Sequence, residues 1–329
     1  MNSADSNISK QFVAYPMKFT PILKERVWGG DKLKTLGKDV STDNIGESWE
    51  ISAVEGDVSR VSNGYFQGEK FDDLINSYPI EIMGKEIFSI FGKQFPLLIK
   101  FLDAKTDLSI QLHPNDDLAK ERHNSLGKTE MWYIMVAEPN SRLILGFKED
   151  SSPKEYLHHL QEKTLPTILQ EYAVKPGETY LIETGTIHAI GGGILLAEIQ
   201  QTSDITYRVY DWDRRDNAGN QRELHVDLAL DAIDYRKKEP KLTYQPKEDE
   251  SVEIVSTPYF ITNYIELQTE LSIAHKGESF RIYVCTEGSF SVRYAEETIS
   301  IQQGETILIP ATLREYEFQG EAKILEVYI

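Results

Sequence analysis

Short apolar runs, rich in Ile, Val, Leu, Tyr and Trp and broken by turn residues, dominate the chain. Residues 47–52, 97–102, 108–112, 131–136, 179–182 and 194–199 are the clearest, and each predicts a strand. Helical patterns are fewer and fall at residues 71–77, 115–123, 151–161 and 224–235. In the third, Ser152 takes the N-cap position and Pro153 the first turn. In the fourth, Leu224, Leu228, Leu230 and Ile233 fall roughly on one side. Residues 1–14, rich in Ser, Asn and Asp, read as a disordered tail.

The polar stretch 236–251 (RKKEPKLTYQPKEDES) holds two prolines and no strong periodicity, and it marks the best domain boundary. Residues 15–240 lie before it. Residues 250–329 beyond it read as strands throughout, close to a minimal sandwich or barrel. An internal echo supports two related β units: residues 177–182 read GETYLI and residues 304–309 read GETILI. The first copy runs on through ETGTIH to His188, the second through PATLRE with no histidine. Only the first copy therefore keeps a metal-binding side chain at that turn.

Composition narrows the class. The 329 residues are enough for about two domains. The 53 acidic against 35 basic residues give a net charge of −18, which argues against nucleic acid or a membrane surface as partner, since both are polyanionic. A small phosphorylated substrate stays possible, because a few cations in one pocket reverse the local sign. Cys285 is the only cysteine, so no intrachain disulfide and no cysteine-based zinc cluster is expected. The polar start shows no secretory signal, and the longest apolar runs are far too short to span a bilayer. The expectation is a soluble cytoplasmic protein, monomer or homodimer.

The chemistry concentrates in three segments. In a strand, Gln111 and His113 project to one face while Ile110 and Leu112 face the packing layer, and Pro114 ends the strand. Lys128 and Glu130 again share a face. His188 sits on a turn after a strand. Gln111, His113, Glu130 and His188 make a mixed nitrogen and oxygen set that suits Zn²⁺, with Fe²⁺, Mn²⁺ or Co²⁺ as alternatives. Taken singly, His113 and His188 each fit a hydrogen-bonded structural role better than a ligand role. His123 beside Arg122 reads as a solvated helix end, His158 and His159 as surface or packing residues, His225 and His275 have no ligand partner nearby in sequence, and Asp211, Asp213, Arg214 and Arg215 read as a surface ion-pair cluster.

Several segments together resemble the type I mannose-6-phosphate isomerases, the zinc-dependent phosphomannose isomerases of the cupin superfamily, in their short bacterial form. They are Glu25-Arg26-Val27-Trp28-Gly29-Gly30, Gly46-Glu47-Ser48-Trp49-Glu50, and residues 96–102 leading into Leu108-Ser109-Ile110-Gln111-Leu112-His113-Pro114. Lys128-Thr129-Glu130, Gly185-Thr186-Ile187-His188-Ala189 and the stretch from Glu198 to Arg208 complete the match, which covers roughly residues 17–329. The resemblance implies a mainly β fold of two cupin-type double-stranded β-helix (jelly-roll) units with a few helices. Residues 15–240 would form the metal-binding catalytic unit, with only a small helical insertion near 151–170. Residues 250–329 would form a cupin-like unit without ligands.

The resemblance also implies Gln111, His113, Glu130 and His188 as ligands of one zinc ion per chain. It places Lys100, Ser109, Lys128 and Arg208 in a sugar-phosphate pocket, and Lys128, Glu198, Asp204 and Arg208 in the chemistry. The implied reaction interconverts mannose 6-phosphate and fructose 6-phosphate through a cis-enediol. The base stays open among Glu198, Asp204 and Lys128. Two rivals share the scaffold: another cupin metal enzyme acting on sugar phosphates, and a non-catalytic sugar-phosphate sensor.

Overall fold

The computed structural model describes residues 11–215 and 219–329. In chain order, β1 (Met17–Thr20) and β2 (Ile22–Gly30) lead through a 3₁₀ turn (Lys32–Leu36) to β3 (Ile45–Ile51). Three two-residue strands, β4 (Ala53–Val54), β5 (Asp57–Val58) and β6 (Arg60–Val61), precede helices α1 (Phe71–Ser77), α2 (Pro79–Met83) and α3 (Lys85–Phe91). Then follow β7 (Leu97–Ala104), β8 (Ile110–Leu112), α4 (Asp116–His123), β9 (Glu130–Ala137), β10 (Arg142–Phe147), α5 (Pro153–Gln161) and β11 (Leu169–Ala173). The first unit closes with β12 (Thr179–Ile182), β13 (His188–Ile190), β14 (Ile194–Gln201), β15 (Tyr207–Tyr210), α6 (Val226–Leu230) and β16 (Lys241–Leu242). The second unit holds β17 (Ser251–Ser256), β18 (Ile261–Leu267), β19 (Glu270–Ala274), β20 (Arg281–Tyr294), β21 (Glu297–Gln302), β22 (Thr306–Ile309) and β23 (Glu315–Tyr328).

The predicted strands are present, and the first unit arranges them in two antiparallel sheets. One runs β16-β12-β9-β14-β7-β2-β3, the other β11-β10-β13-β8-β15. Alternation sends Trp132, Leu196 and Ile134 into a core with Leu143 and Leu145 of the second sheet. The outer face of the five-stranded sheet packs Ile110, Leu112 and Val209 under α5, α6 and the 3₁₀ turn Leu165–Ile168. Helix α5 and the 3₁₀ turn fall in the segment near 151–170 where the small insertion was expected. The Ser152 hydroxyl caps α5 by accepting from the Glu155 amide at 3.2 Å, with Pro153 at the first position. Asn115 caps α4 in the same way, accepting from the Leu118 amide at 3.0 Å.

The second unit is one folded antiparallel sheet, β17-β18-β23-β20-β22, with β19 on β23 and β21 on β20. Its interior is Ile265, Tyr283, Phe290, Phe318 and Ile324. The echoed segments are both strands in equivalent settings: GETYLI gives β12 and GETILI gives β22, each preceded by a glycine at positive φ, Gly177 (86°) and Gly304 (83°).

Three expectations change. The boundary expected at 236–251 contributes β16 to the first unit's sheet, and it is crossed in space. β1 extends the second unit's sheet by pairing with β22, and β6 pairs with β1. A single core also joins the units, with Phe71, Ile99 and Phe101 packed among Tyr264, Phe280 and Leu325. Secondly, the helix expected over 224–235 shrinks to Val226–Leu230. The chain on either side is taken up by tertiary bonds: the Arg208 amide donates to His225 Nδ1, and the Asp234 amide to the Gly185 carbonyl. Thirdly, residues 1–10 of the expected tail lie outside the described residues, while Phe12 within it stacks on Phe66 at 5.6 Å. No helix among the described residues is long and apolar enough to cross a membrane.

Candidate active site

Strand register builds the site. On the five-stranded sheet, His188 of β13 lies opposite Gln111 of β8, and Gln111 lies opposite Arg208 of β15. These three residues, far apart in sequence, stand side by side. His113 follows one residue past the end of β8. Glu130 opens β9 on the facing sheet. One ligand-bearing atom each from His113, Glu130 and His188 lies within 4.8 Å of the other two, and all three residues are buried. Gln111 is half-buried beside them, its Oε1 accepting from Ser109 Oγ at 3.3 Å.

The residues around this group suit a cation. His113 Nδ1 contacts the Ile205 carbonyl at 2.7 Å and His188 Nδ1 the Thr186 carbonyl at 2.8 Å, so each Nδ1 carries the proton and each Nε2 turns inward with a lone pair. His188 Nε2 and Glu130 Oε2 are buried with no hydrogen-bond partner among the described residues. Two inward nitrogens and an ionised carboxylate, all buried and with the Lys128 ammonium beside them, make a donor set that a divalent ion fits. Burial, with Lys128 next to it, pushes His113 down to about 4, and burial also lowers His188, so both stay neutral and able to ligate. Burial alone would raise Glu130, but Lys128 and His113 beside it hold its carboxyl well below the usual range. Lys128 Nζ sits 2.7 Å from Glu130 Oε1. Burial opposes the Lys128 charge, yet Glu130 and Glu198 outweigh it and raise the ammonium above its ordinary value.

A cavity of about 410 Å³ opens beside this group, lined by Gln111, Lys128 and His188 at the inner end. That is within the size range of small-ligand sites. Its floor is one row across the seven-stranded sheet. Trp132, Glu198, Lys100 and Trp49 are successive register partners on β9, β14, β7 and β3. The row is bonded throughout. Trp132 Nε1 donates to Glu198 Oε2 at 2.9 Å, Lys100 Nζ donates to Glu198 Oε1 at 3.1 Å, and Lys100 Nζ stands 5.0 Å from the Trp49 ring centre. Trp49 Nε1 then donates to Glu47 Oε2 at 2.6 Å, and Arg26 Nε donates to Glu47 Oε1 at 2.7 Å. Burial would raise Glu47, but Lys100 and Arg26 pull it down to about 2.

The charges lining the cavity are almost all paired. Lys24 meets Asp57, Arg26 meets Glu47, Lys100 meets Glu198, Lys128 meets Glu130, and Arg222 meets Asp211. Two groups are left over among the described residues. Arg208 donates only to Ser109 Oγ at 3.3 Å and the Glu223 carbonyl at 3.1 Å, and Asp204 has neither ion pair nor hydrogen bond from its carboxylate. Burial and the neighbouring Arg222 lower Arg208 from its ordinary value.

The expectation of a surface cluster at 211–215 is corrected at Asp211. That carboxylate is 6% exposed. It accepts from Arg222 Nε at 2.7 Å and from Arg214 Nη2 at 2.5 Å. Two guanidinium groups, those of Arg214 and Arg222, thus share the Asp211 carboxylate, and Arg222 lines the cavity together with the unpaired Arg208. His123 is likewise no solvated helix end, since its Nε2 bonds the Tyr207 hydroxyl at 2.8 Å. All the expected site residues meet at this cavity or the metal group. Lys24, Arg26, Glu47 and Arg222 line the cavity as well and were given no role from the sequence.

Comparison with known proteins agrees with this arrangement. The model for the type I phosphomannose isomerase catalytic domain matches residues 17–139, and that for the mannose-6-phosphate isomerase cupin domain matches residues 250–329. The chain is 33% identical over 316 residues to mannose-6-phosphate isomerase ManA of Bacillus subtilis (strain 168), which covers 94% of this chain and 98% of that protein. It is 32% identical over 318 residues to mannose-6-phosphate isomerase of Streptococcus mutans, covering 95% and 98%. A crystal structure of the mannose 6-phosphate isomerase from Bacillus subtilis superposes with a TM-score of 0.87 at 32% identity, covering 95% of this chain and 99% of the other.

Proposed function

The chain belongs to the type I phosphomannose isomerases, and on that premise we propose that it interconverts mannose 6-phosphate and fructose 6-phosphate using one zinc ion per chain. The observation that carries this reading is the buried His113–Glu130–His188 group at the inner end of a cavity whose only unpaired cation, among the described residues, is Arg208. Gln111, His113, Glu130 and His188 would hold the metal. When bound, a divalent ion supplies a Lewis acid for the sugar oxygens at C1 and C2.

The protein's own groups do the rest. Arg208 takes the phosphate. Arg214 and Arg222 share the Asp211 carboxylate, so with the unpaired Arg208 nearby this part of the site is net positive, which suits a phosphate dianion. That contact anchors the sugar so that C1 and C2 lie toward the metal group, and orientation of this kind lowers the barrier. Isomerisation removes the proton on C2 while O1 gains one, giving the enediol; O2 then loses its proton and C1 gains one. Three groups were open as the base. Both Glu198 oxygens are occupied, by Lys100 and Trp132, and Lys128 is an ammonium held on Glu130. Asp204 faces the cavity with both oxygens free, and it is assigned the C2–C1 proton transfer. Lys128 is placed to donate to a sugar oxygen at the metal end, and the row Glu198–Lys100–Trp49–Glu47 forms a wall for the sugar.

The fold of a single buried cysteine, with its thiol pushed up to about 12 by burial, fits work in the reducing cytoplasm. The deciding experiment is a coupled assay with mannose 6-phosphate alongside metal analysis. Turnover with stoichiometric zinc is expected. A zinc-loaded, folded protein that leaves mannose 6-phosphate unchanged but turns over another aldose phosphate would overturn the substrate assignment.

A further inference from the structure

The second unit carries no metal ligands, yet one of its turns reaches the back of the cavity wall. Gly304, just before β22, has φ +83°, and a Cβ there would lie 2.5 Å from the Leu36 side chain, so the turn is docked tightly on the N-terminal part of the chain. Its carbonyl accepts a 2.7 Å hydrogen bond from Lys38 Nζ. The same ammonium donates to Glu50 Oε2 at 2.7 Å and stands 5.3 Å from the centre of the Phe101 ring. The Lys38 and Glu50 side chains are only 6% and 4% exposed. The other Glu50 oxygen accepts from Ser48 Oγ at 2.6 Å.

Strand alternation gives these contacts their meaning. On β3, Ser48 and Glu50 point to the back, so Glu47 and Trp49 point to the cavity. On β7, Phe101 points to the back and Lys100 to the cavity, and the register sets Ser48 beside Phe101 and Trp49 beside Lys100. One buried ammonium therefore touches the rear of both wall strands while bonded to the second barrel. Burial raises Glu50, and Lys38 is the cation that offsets this.

We propose that Lys38 is a positioning residue for the isomerisation, through which the second barrel sets the wall that presents Glu47, Trp49 and Lys100 to the sugar. The assignment rests on the isomerase reading. Removing only the ammonium leaves the buried Glu50 carboxylate without its cation, with the Ser48 hydroxyl as its hydrogen-bond donor. β3 then shifts to reach water, carrying Trp49 and its bond to Glu47 out of line with Lys100.

The test compares the full-length zinc-loaded wild type with Lys38→Met and with Lys38→Met/Glu50→Met. Lys38→Met should raise KM for mannose 6-phosphate by about 2- to 30-fold, with kcat and bound zinc within about twofold. The double variant removes the stranded charge and should recover thermal stability, while KM stays raised because the tether to Gly304 is gone. A KM that returns with stability in the double variant would show a purely structural pair and overturn the proposal, as would an unchanged KM in Lys38→Met. If Lys38→Met does not fold, the double variant alone decides. Calorimetric binding of mannose 6-phosphate gives the same comparison without turnover. An inactive wild type would overturn the isomerase reading and still leave the positioning role measurable.

Discussion

Replacing Arg208 by alanine is the sharpest test of how the cavity divides its labour. Arg208 is the one cation at the cavity without a carboxylate partner among the described residues, and its neighbours Arg214 and Arg222 are already engaged by Asp211. A guanidinium offers a phosphate two parallel charge-assisted hydrogen bonds, and such bonds contribute about 1.5–3 kcal/mol each. Part of that is recovered when water and Arg222 close in on the phosphate, so a net loss of about 3–4 kcal/mol is expected, a fall of about 10²–10³ in kcat/KM. The same variant should lose only about tenfold with unphosphorylated mannose, because that substrate never used the contact. Arg208→Lys keeps the charge but not the fork and should fall between. Zinc content should not change, since Arg208 is no ligand in this reading. A coupled assay on both sugars, run with metal analysis, supplies every quantity needed. Equal losses on mannose and mannose 6-phosphate would place Arg208 at the reacting end of the sugar and refute the phosphate assignment.

Chelation should abolish isomerisation, and added Zn²⁺ should restore it; full activity in metal-free protein would remove the metal from the reaction. Asp204→Asn should lower kcat by about 10²–10⁴ with little change in KM, and near-normal kcat would pass the base role to another group. In metal-stripped protein, His113 titrates at about 4 when folded, against an ordinary value of 6.5. The unfolded chain then binds the extra proton first, so stability should fall as pH drops from about 6.5 to about 4, by up to about 3 kcal/mol. Urea unfolding of wild type and His113→Gln across that window checks the sign, since the variant should lose the His113 share of the slope while the lowered His188 and His275 keep theirs. Gly304→Ala meets both a left-handed backbone and the Leu36 side chain, and should destabilise by more than about 1 kcal/mol in a thermal melt. An unchanged melting temperature would mean the turn is not docked as described.

What the sequence disclosed is what short periodicities encode. The period of two was enough to put Gln111 and His113 on one face and Ile110 and Leu112 in the core, and the cap at Ser152 marked one helix start. Partnership between distant strands leaves no such local mark. Nothing near His188 shows that it faces Gln111, or that Arg208 flanks Gln111 on the other side. Arg222 was invisible for the same reason: it follows a polar turn and gains its place only through Asp211. Glu47 and Trp49 were noted as part of a motif, but the bonded row from Trp132 to Arg26 exists only once five strands align. Helices α2 and α3, five and seven residues long, are too short to carry a helical period and are held by packing.

The pairing of β1 with β22 has a consequence for how this protein is made. Met17 must wait for Leu308, which leaves the ribosome 291 residues later, roughly 15–60 s at ordinary elongation rates. Until then the first-made strand has one open edge, and the first unit lacks the surface that closes the shared core around Phe71 and Phe101. A nascent chain released anywhere before residue 306 leaves an unpaired edge and bare apolar side chains where the finished enzyme has a seam.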